Sequence, residues 1–379
     1  MEGPKVLILT SNYGNGHLQV ADSLVQEFKR SGGNQVIVKD LFYETSPTFN
    51  EWTKKIYLKS FTKSGRHIYR LFYYSSKQIT KRKNLKLLSY GYSKLCKIVD
   101  QEKPDVIINT FPSFAVPFHR SKTKAIIPTY NVITDYCLHH SWIHPNIDKY
   151  YVASRKLKQD LLELGISQTK IFVSGMPINP VFEETTFRGD LVQKYQVNPT
   201  KKTVLIVAGA YGVSNEMKEI CDRLKDDPVI QLLIVCGKNV ELYNQLKTKY
   251  QTYTDIKVFG YVTEMAELLK ISTCVITKPG GIILSEAMAM NTPIVLPKAT
   301  PGQERENAQF FQEQGAAVWH EDKDKLVTEI KHLIRNEMKL IEMKENLSML
   351  HFPNSSRAII NDILRQYDCS KTNEKYLKL

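Results

Sequence analysis

Residues 274–308 read CVITKPGGIILSEAMAMNTPIVLPKATPGQERENA, a stretch in which two strand–turn–helix units follow one another. The segments 274–277 and 293–296 are short, apolar and bounded by turn residues, as buried strands are. Gly280 and Gly281 separate the first strand from IILSEAMAM, which has the length and composition of a buried helix. Strands that alternate with helices in this way predict an α/β domain with a parallel sheet.

The same alternation runs through the rest of the 379-residue chain. Fully apolar segments such as DVIIN favour parallel strands that helices cover on both faces. Between two such series, residues 177–201 carry three prolines and no strand pattern, which is typical of a linker. The other predicted strands are 6–10, 36–38, 105–109, 126–134 and 150–153 before this linker and 203–208, 231–236 and 256–259 after it.

The two series predict two doubly wound, Rossmann-like parallel-sheet domains that face a central cleft. We assign residues 1–180 to the first domain, 181–201 to the linker and 202–352 to the second domain. We expect residues 353–379 to form a helix that returns to the first domain. Because open α/β sheets bind ligands outside the carboxyl ends of their strands, functional residues are expected in the turns that follow strands.

Composition narrows the classes of function. The six cysteines form no CxxC pair, and no histidine spacing fits a zinc site. The sequence has no run of about 18 apolar residues and no signal-peptide pattern. It therefore predicts a cytoplasmic protein with reduced thiols, no metal site and no membrane-spanning helix.

The net charge of +13 comes from one segment. Between Trp52 and Val99 lie 13 lysines and arginines and no acidic residue, and nine aromatic residues are interleaved with them. Basic amphipathic segments with aromatic residues bind anionic lipid head groups while their rings enter the interface. Two alternatives stay open, a nucleic-acid contact and a solvated face whose aromatic residues lie in the core. The predicted membrane and acceptor contacts are Trp52, Lys54, Lys55, Tyr57, Lys59, Phe61 and Lys63.

Two turns in the first half carry residues suited to proton transfer. The sequence GNGH at 14–17 follows the first predicted strand, and its glycines allow a tight turn and close approach to a ligand. Histidine as a residue type has a pKa near the working pH, which makes His17 a candidate general base, although an exposed histidine on a tight turn is the alternative. Asp135 follows a predicted strand, where it could orient an imidazole, take part in proton transfer, or cap the next segment.

Turns in the second half carry residues suited to a nucleotide and a sugar. Small residues in AGAYG, at 208–212, allow close approach of the backbone. The amides after Gly280 and Gly281 suit a diphosphate. Glu286, on an apolar helix, is costly to bury unless two ribose hydroxyls satisfy it, and an exposed edge is the alternative.

Three polar residues follow the next strand. Gln303, Glu304 and Asn307 share the first turns of a helix predicted to begin near 301, and they suit sugar hydroxyls. A capped surface helix is the alternative. The triplet Asp322-Lys323-Asp324 imitates a metal-binding DxD, but its charged surroundings favour an ordinary helix start.

The motifs together resemble the family 28-type glycosyltransferases of the GT-B architecture. This group includes the plant monogalactosyldiacylglycerol synthases and the peptidoglycan N-acetylglucosaminyltransferase, and the chain most resembles the bacterial processive diacylglycerol β-glucosyltransferases. The resemblance covers nearly the whole chain. The motifs that carry it are SNYGNGH at 11–17, VITDY at 132–136, GAYGVS at 209–214, TKPGG at 277–281 and PGQExENA at 301–308.

The resemblance implies transfer of glucose from UDP-glucose to the 3-hydroxyl of diacylglycerol, with inversion, without a metal and with processive addition. It makes residues 1–180 the acceptor domain and 202–352 the donor domain, His17 the candidate base and Asp135 its neighbour. The turn AGAYG departs from the glycine run with an acidic residue that relatives often have. The residues implied in donor binding are Gly16, Gly209, Ala210, Tyr211, Gly212, Lys278, Gly280, Gly281, Ile282, Glu286, Gln303, Glu304 and Asn307.

The implied location is the cytoplasmic face of the cell membrane, with the protein bound peripherally to anionic lipids and not to nucleic acid. The products would be glycolipids, including the anchor of lipoteichoic acid. The alternatives are another GT-B enzyme that uses a UDP-sugar, namely a galactosyltransferase, a peptidoglycan-type transferase or an epimerase. A protein that binds nucleic acid through residues 52–97 is an alternative of a different class.

Overall fold

Two compact units make up the chain, Met1–Asn179 with Phe352–Leu379 and Pro180–His351. The first unit is therefore built from both ends of the sequence. The computed structural model describes residues 3–12, 15–33, 35–48, 51, 70–71, 73–75, 90–123, 126–184, 188–208 and 215–376.

The first unit contains a six-stranded parallel sheet in the order β2-β1-β3-β4-β5-β6. Every residue of β1 is buried, as expected of a strand covered on both faces. Leu7, Leu9 and Ile107 belong to the core on one face of this sheet, together with Leu95 from a covering helix. The strands are β1 Val6–Thr10, β2 Val36–Asp40, β3 Val106–Asn109, β4 Thr129–Val132, β5 Lys149–Val152 and β6 Ile171–Val173.

Helices lie in the connections between these strands, except between β4 and β5, where the chain carries only a 3-10 turn. The final helix of the chain, α14, packs against α1 in the same unit. Two 3-10 turns, His140–Trp142 and Gln168–Lys170, lie in the loops. The helices described in this unit are α1 Asn15–Arg30, α2 Leu41–Thr45, α3 Tyr92–Glu102, α4 Ala115–Thr123, α5 Arg155–Glu163 and α14 Ser355–Tyr376.

The second unit repeats the plan with a six-stranded parallel sheet in the order β12-β11-β10-β7-β8-β9. The strands are β7 Lys202–Val207, β8 Ile230–Val235, β9 Ile256–Phe259, β10 Cys274–Ile276, β11 Ile294–Leu296 and β12 Ala317–Trp319. The helices are α6 Arg188–Lys194, α7 Asn215–Leu224, α8 Val240–Lys249, α9 Met265–Ile271, α10 Gly281–Ala289, α11 Gln303–Glu313, α12 Lys323–Arg335 and α13 Glu337–Leu350, after a 3-10 turn at Pro180–Glu183.

The prediction of two doubly wound parallel sheets is confirmed. Two strands of three residues each, β6 and β12, were absent from the sequence prediction. The predicted strand 126–134 is shorter in the structure, where β4 has four residues. Residues 181–201 carry most of the 3-10 turn and all of α6.

Two predictions from composition have structural counterparts. All six cysteines lie among the described residues, and all are free thiols. Within the described ranges, no helix has the length and apolar content needed to cross a bilayer.

A polar group fixes α14 to the sheet of the first unit. The Asp362 carboxylate accepts hydrogen bonds from Lys149 Nζ at 2.7 Å, Tyr151 Oη at 2.8 Å and Gln366 Nε2 at 2.7 Å. Burial raises the pKa of Tyr151, and the adjacent carboxylate raises it further, so the phenol stays a donor. The helix is thus fixed by hydrogen bonds as well as by apolar packing.

Gly175 lies where the start of α14 closely approaches the chain that follows β6. Its φ is +79°, and a Cβ built there would lie 2.5 Å from Ser355 Oγ and 2.7 Å from Phe352 Cβ. Gly175→Ala is expected to lower the free energy of unfolding by about 2–4 kcal/mol, from backbone strain plus overpacking. Gly165, also at φ +79° but with nothing within 4 Å, is the matched control, and Gly165→Ala should cost about 1 kcal/mol. Equal losses in urea unfolding would contradict the close approach.

Candidate functional site

The order of strands brings three loops of the first unit to one edge of its sheet. Strand β1 pairs with β2 on one side and with β3 on the other. The connection after β1 therefore runs to one side of this strand, and the connection after β2 runs back to its opposite side. Such a switch point, at the carboxyl ends of the strands, is where open α/β sheets bind ligands. His17 lies in the first turn of α1 after β1, Thr110 follows β3, and Thr134 lies two residues after β4.

Two of these loops contact the His17 ring at the same nitrogen, Nδ1. Its Nδ1 lies 2.9 Å from the Thr110 carbonyl oxygen and 2.9 Å from Thr134 Oγ1. The Thr110 hydroxyl donates to the His17 carbonyl oxygen at 3.2 Å, which ties the backbones of the two loops together. Phe111 meets the imidazole edge-on, with ring centroids 4.9 Å apart. The ring is therefore fixed in place, and Nε2 is the nitrogen that these two oxygens leave free.

Burial sets the charge of this ring. Desolvation lowers the pKa of His17 to about 4, and the hydrogen bond to the Thr110 carbonyl opposes this only in part. The imidazole is therefore neutral near pH 7. A neutral imidazole whose position is fixed can accept a proton from a bound hydroxyl group.

A row of aromatic rings leads away from His17. Phe111 contacts Phe42 at 5.1 Å between centroids, and Phe42 contacts Tyr90 at 5.5 Å. Phe42, Tyr90 and Phe111 are each half-buried. The row gives the surroundings of the imidazole an apolar side.

Asp40, at the end of β2, is occupied by structural contacts. Its carboxylate accepts from the Asn12 amide at 2.9 Å and caps α2 by accepting from the Phe42 and Tyr43 amides. A dinucleotide site of the Rossmann type uses an acidic residue here to bind a ribose. Asp40 instead shapes the turn before α1, which does not fit that use.

Two other predicted residues of this unit are chain neighbours of His17 and Thr134. Gly16 precedes His17 in α1 and is half-buried. Asp135 follows Thr134 and is 9% exposed. The oxygens within hydrogen-bond distance of the His17 ring belong to Thr110 and Thr134, residues to which the sequence prediction gave no role. Thr134 stands in the quoted motif VITDY, but Thr110 reaches the site only because β3 pairs with β1.

In the second unit, the loop after β10 leads into a helix whose first backbone amides have no hydrogen-bond partner within the helix. Strand β7 lies between β8 and β10, which makes this the switch point of the second sheet. The first bond of α10 runs from the Leu284 amide to the Gly280 carbonyl at 3.2 Å. The amides of Gly281, Ile282 and Ile283 precede that bond, and the first turn carries no acidic side chain. Such amides favour an anion.

Glu286 lies on the same helix and is 6% exposed. Burial raises the pKa of its carboxyl group to about 8, and no hydrogen bond or charge from the described residues offsets this. A buried carboxyl group without donors is unfavourable, so this position suits a ligand that supplies them. The exposed alternative for Glu286 is wrong.

The remaining residues predicted to touch the sugar also shape the loops. Asn307, 1% exposed, donates from Nδ2 to the Pro279 carbonyl at 3.1 Å and so supports the turn before α10. Glu304 Oε2 accepts from the Thr300 amide at 2.9 Å. Gln303, at the start of α11, and Lys278 are half-buried. A contact of these residues with a sugar stays a prediction.

Part of the predicted site lies outside the described residues. This part comprises Gly209, Ala210, Tyr211 and Gly212 of the nucleotide turn and the membrane contacts Trp52, Lys54, Lys55, Tyr57, Lys59, Phe61 and Lys63.

The DxD-like triplet is a helix start, as predicted. Asp322 Oδ1 accepts from the Asp324 and Lys325 amides at 2.9 Å each, and this capping lowers the pKa of Asp322. Among the described residues, no group of three or more histidine, cysteine, aspartate or glutamate side chains could hold a metal ion.

Each half of the chain matches a known protein family. Residues 17–178 match the family described as monogalactosyldiacylglycerol (MGDG) synthase, and residues 203–359 match the glycosyltransferase family 28 C-terminal domain. The processive diacylglycerol beta-glucosyltransferase of Bacillus pumilus (strain SAFR-032) is 44% identical over 376 residues, 99% of this chain and 98% of the relative. The chain belongs to this glucosyltransferase family. The enzyme of the same name from Bacillus subtilis (strain 168) is also 44% identical, over 98% of this chain and 97% of the relative.

Solved structures extend the likeness to the fold. The Staphylococcus aureus MnaA–UDP co-structure matches with a TM-score of 0.62 and 18% identity over 96% of both chains. Acinetobacter baumannii MurG matches with a TM-score of 0.63 and 14% identity over 95% of this chain and 99% of its own. With the two parallel sheets, these matches establish the GT-B fold within the family.

The buried carboxyl group predicts a pH-dependent difference in stability. With a pKa of about 8 in the folded state against an ordinary value near 4.5, the folded state holds the Glu286 proton more tightly than the unfolded state. The contribution of Glu286 to folding stability should therefore fall as pH rises from about 4.5 to 8. Glu286→Gln lacks this loss, so its stability relative to the wild type should grow by on the order of 3 kcal/mol over that range.

Urea unfolding at pH 5 and at pH 8.5 measures this difference. Glu329→Gln, at an exposed position of α12, is the control and should show the same difference from the wild type at both values. A constant difference for Glu286→Gln would show that Glu286 is ionised in the folded protein.

Proposed function

We propose that this protein transfers glucose from UDP-glucose to the 3-hydroxyl of diacylglycerol, with inversion at the anomeric carbon, and adds further glucose units processively. The observation that carries the proposal is the 44% identity, over nearly the whole chain, to enzymes named for this reaction. The products would be mono- and diglucosyldiacylglycerol, used as membrane glycolipids and as the anchor of lipoteichoic acid.

The first unit would supply the base. A diacylglycerol hydroxyl is a weak nucleophile until its proton is removed during attack. In the proposed step, the hydroxyl oxygen forms a bond to the anomeric carbon of glucose while its proton moves to His17 Nε2. The low pKa of His17 keeps the imidazole neutral at physiological pH, so that Nε2 can accept a proton, although it also makes the ring a weaker base than an ordinary histidine.

The second unit would hold the donor. The bond from the anomeric carbon to the diphosphate oxygen breaks, and its electron pair leaves with UDP. The amides of Gly281, Ile282 and Ile283 would stabilise the growing negative charge, and attack from the opposite face inverts the carbon. The ribose hydroxyls would supply the donors that the Glu286 carboxyl group lacks. We include no metal, because the helix amides supply the electrostatic stabilisation.

A substitution at each site separates the two roles. His17→Ala should lower kcat by about 10²–10⁴-fold, the usual contribution of a general base, while the Kd for UDP in calorimetry stays within about twofold. Glu286→Ala should weaken UDP binding at least about tenfold, the effect of lost hydrogen bonds to one ligand. The assay is glucose transfer from UDP-glucose to diacylglycerol in vesicles, with UDP-galactose in parallel.

The control for His17→Ala is His119→Gln. His119 in α4 is buried, and burial lowers its pKa as it does that of His17, but it lies outside the proposed site. The kcat of the His119→Gln variant should stay within about twofold of the wild-type value. Unchanged turnover in His17→Ala would remove His17 as the base, and unchanged UDP affinity in Glu286→Ala would place that residue outside the donor site.

The basic segment 52–97 would bind the protein peripherally to anionic lipids at the cytoplasmic face of the membrane. Each lysine or arginine near an anionic surface contributes about 1 kcal/mol, so half of the 13 cations would hold the protein there. A membrane-resident acceptor requires such contact, and this favours lipid over nucleic acid.

Charge reversal within this segment tests the membrane contact. Replacing Lys54, Lys55, Lys59 and Lys63 by glutamate should release the protein from vesicles rich in anionic lipid at moderate salt. A control variant with the same change of charge should remain bound; it reverses Lys29, Lys122, Lys247 and Lys325, which are exposed elsewhere. Retention on single-stranded DNA without vesicle binding would favour the nucleic-acid alternative.

A further inference from the structure

The surroundings of His17 Nδ1 determine which nitrogen of the ring carries the hydrogen. The Thr110 carbonyl oxygen lies 2.9 Å from Nδ1. A carbonyl oxygen can only accept a hydrogen bond, so Nδ1 must be the donor. A bare Nδ1 at this distance would place two lone pairs against each other. In the neutral ring, the lone pair is then on Nε2.

Thr134 adds a second oxygen to the same nitrogen. Its Oγ1 also lies 2.9 Å from Nδ1, so the N–H group points between two acceptors. A donation from the Thr134 hydroxyl to Nδ1 would need the opposite tautomer, which the Thr110 carbonyl excludes. Thr134 thus acts on the ring as an acceptor.

The fold fixes both oxygens. Strand β3 pairs with both β1 and β4, so the residues that follow these strands lie side by side. Thr134 is 4% exposed and Thr110 is fully buried. The Thr110 amide donates to the Leu9 carbonyl at 2.9 Å, which holds its peptide in register with β1. Neither oxygen depends on an exposed loop for its position.

These two oxygens suit a ring that gains a proton. When Nε2 accepts a proton, part of the positive charge appears at Nδ1–H, where two acceptors can stabilise it. In a Ser-His-Asp triad a buried carboxylate does this and also fixes the tautomer. Here a carbonyl and a hydroxyl group occupy the equivalent place, and Asp135 stands one residue further along the chain.

We propose that Thr134 is a positioning residue that, together with the Thr110 carbonyl, holds His17 as the Nδ1–H tautomer and leaves Nε2 as the reacting base. The effect on turnover rests on the proposed function. The tautomer is a property of the resting protein and does not.

NMR of the full chain labelled with 15N-histidine tests the tautomer at pH 7.5, with the His17 signals assigned by their loss in His17→Gln. The expected result is a protonated Nδ1 and an unprotonated Nε2 in the wild type and also in Thr134→Val, because the Thr110 carbonyl still accepts from Nδ1. The Nδ1 signal should shift in Thr134→Val, because one of the two acceptors is lost. A protonated Nε2 in the wild type would overturn the proposal whatever the reaction.

Turnover tests the positioning role. Thr134→Val removes the oxygen with little change of shape and should lower kcat about tenfold, the effect of one neutral hydrogen bond, with KM for UDP-glucose unchanged. Thr134→Ser keeps the oxygen and should restore kcat to within about threefold of the wild type. Thr129→Val is the matched control, because Thr129 is a buried threonine at the start of β4 whose hydroxyl donates to the Ile127 carbonyl. It should leave kcat within twofold.

The outcomes separate the two proposals. An unchanged kcat in Thr134→Val, or an equal loss in Thr134→Ser, overturns the positioning role. A wild-type protein that has the expected tautomer but does not glucosylate diacylglycerol contradicts the proposed function alone.

Discussion

Strand β3 pairs with β1 on one side and with β4 on the other, and the chemistry of the first unit depends on this adjacency. It brings together residues that are far apart in sequence, with His17 on one loop and Thr110 and Thr134 on the two others. Among the residues that the structure describes, the two groups at Nδ1 are an uncharged carbonyl and an uncharged hydroxyl, and they fix the orientation of the imidazole. Parallel pairing of strands therefore positions this imidazole, a task that a short sequence motif performs in some other proteins.

The His17 ring and the Glu286 carboxyl group are both uncharged near neutral pH. Desolvation lowers the pKa of the His17 ring and raises that of the Glu286 carboxyl group, so each site disfavours its own charged form. The charge in the proposed reaction therefore enters with the substrate, as the diphosphate of the donor. The dipoles at the start of α10 are already oriented toward negative charge, so the protein need not reorganise when the leaving group develops it.

The sequence allowed the parallel sheets and most strand positions to be predicted, because apolar runs such as VLILT and IQLLIV are buried throughout. It missed β6 and β12, three-residue strands at the edges of their sheets with two partly exposed residues each. The strands β10 and β11 are equally short, but they are buried throughout and were predicted. Local motifs identified His17 and Glu286. They gave no signal for Thr110, since its role arises from strand pairing and comes from a carbonyl group, which every residue carries. The hydrogen bonds of Asn307 and Glu304 to the backbone likewise depend on loop geometry that appears only in the folded chain.

The return of α14 to the first unit also affects the order in which the protein can be completed on the ribosome. The first sheet and α1 emerge early, but Asp362, which accepts from Lys149 and Tyr151, is synthesised only after the whole second unit. Until then, a lysine and a tyrosine of β5 lack their acceptor, and the surface of α1 that contacts α14 is uncovered. The nascent first unit therefore remains incomplete through about half of translation, the interval in which exposed apolar surface favours aggregation or chaperone binding.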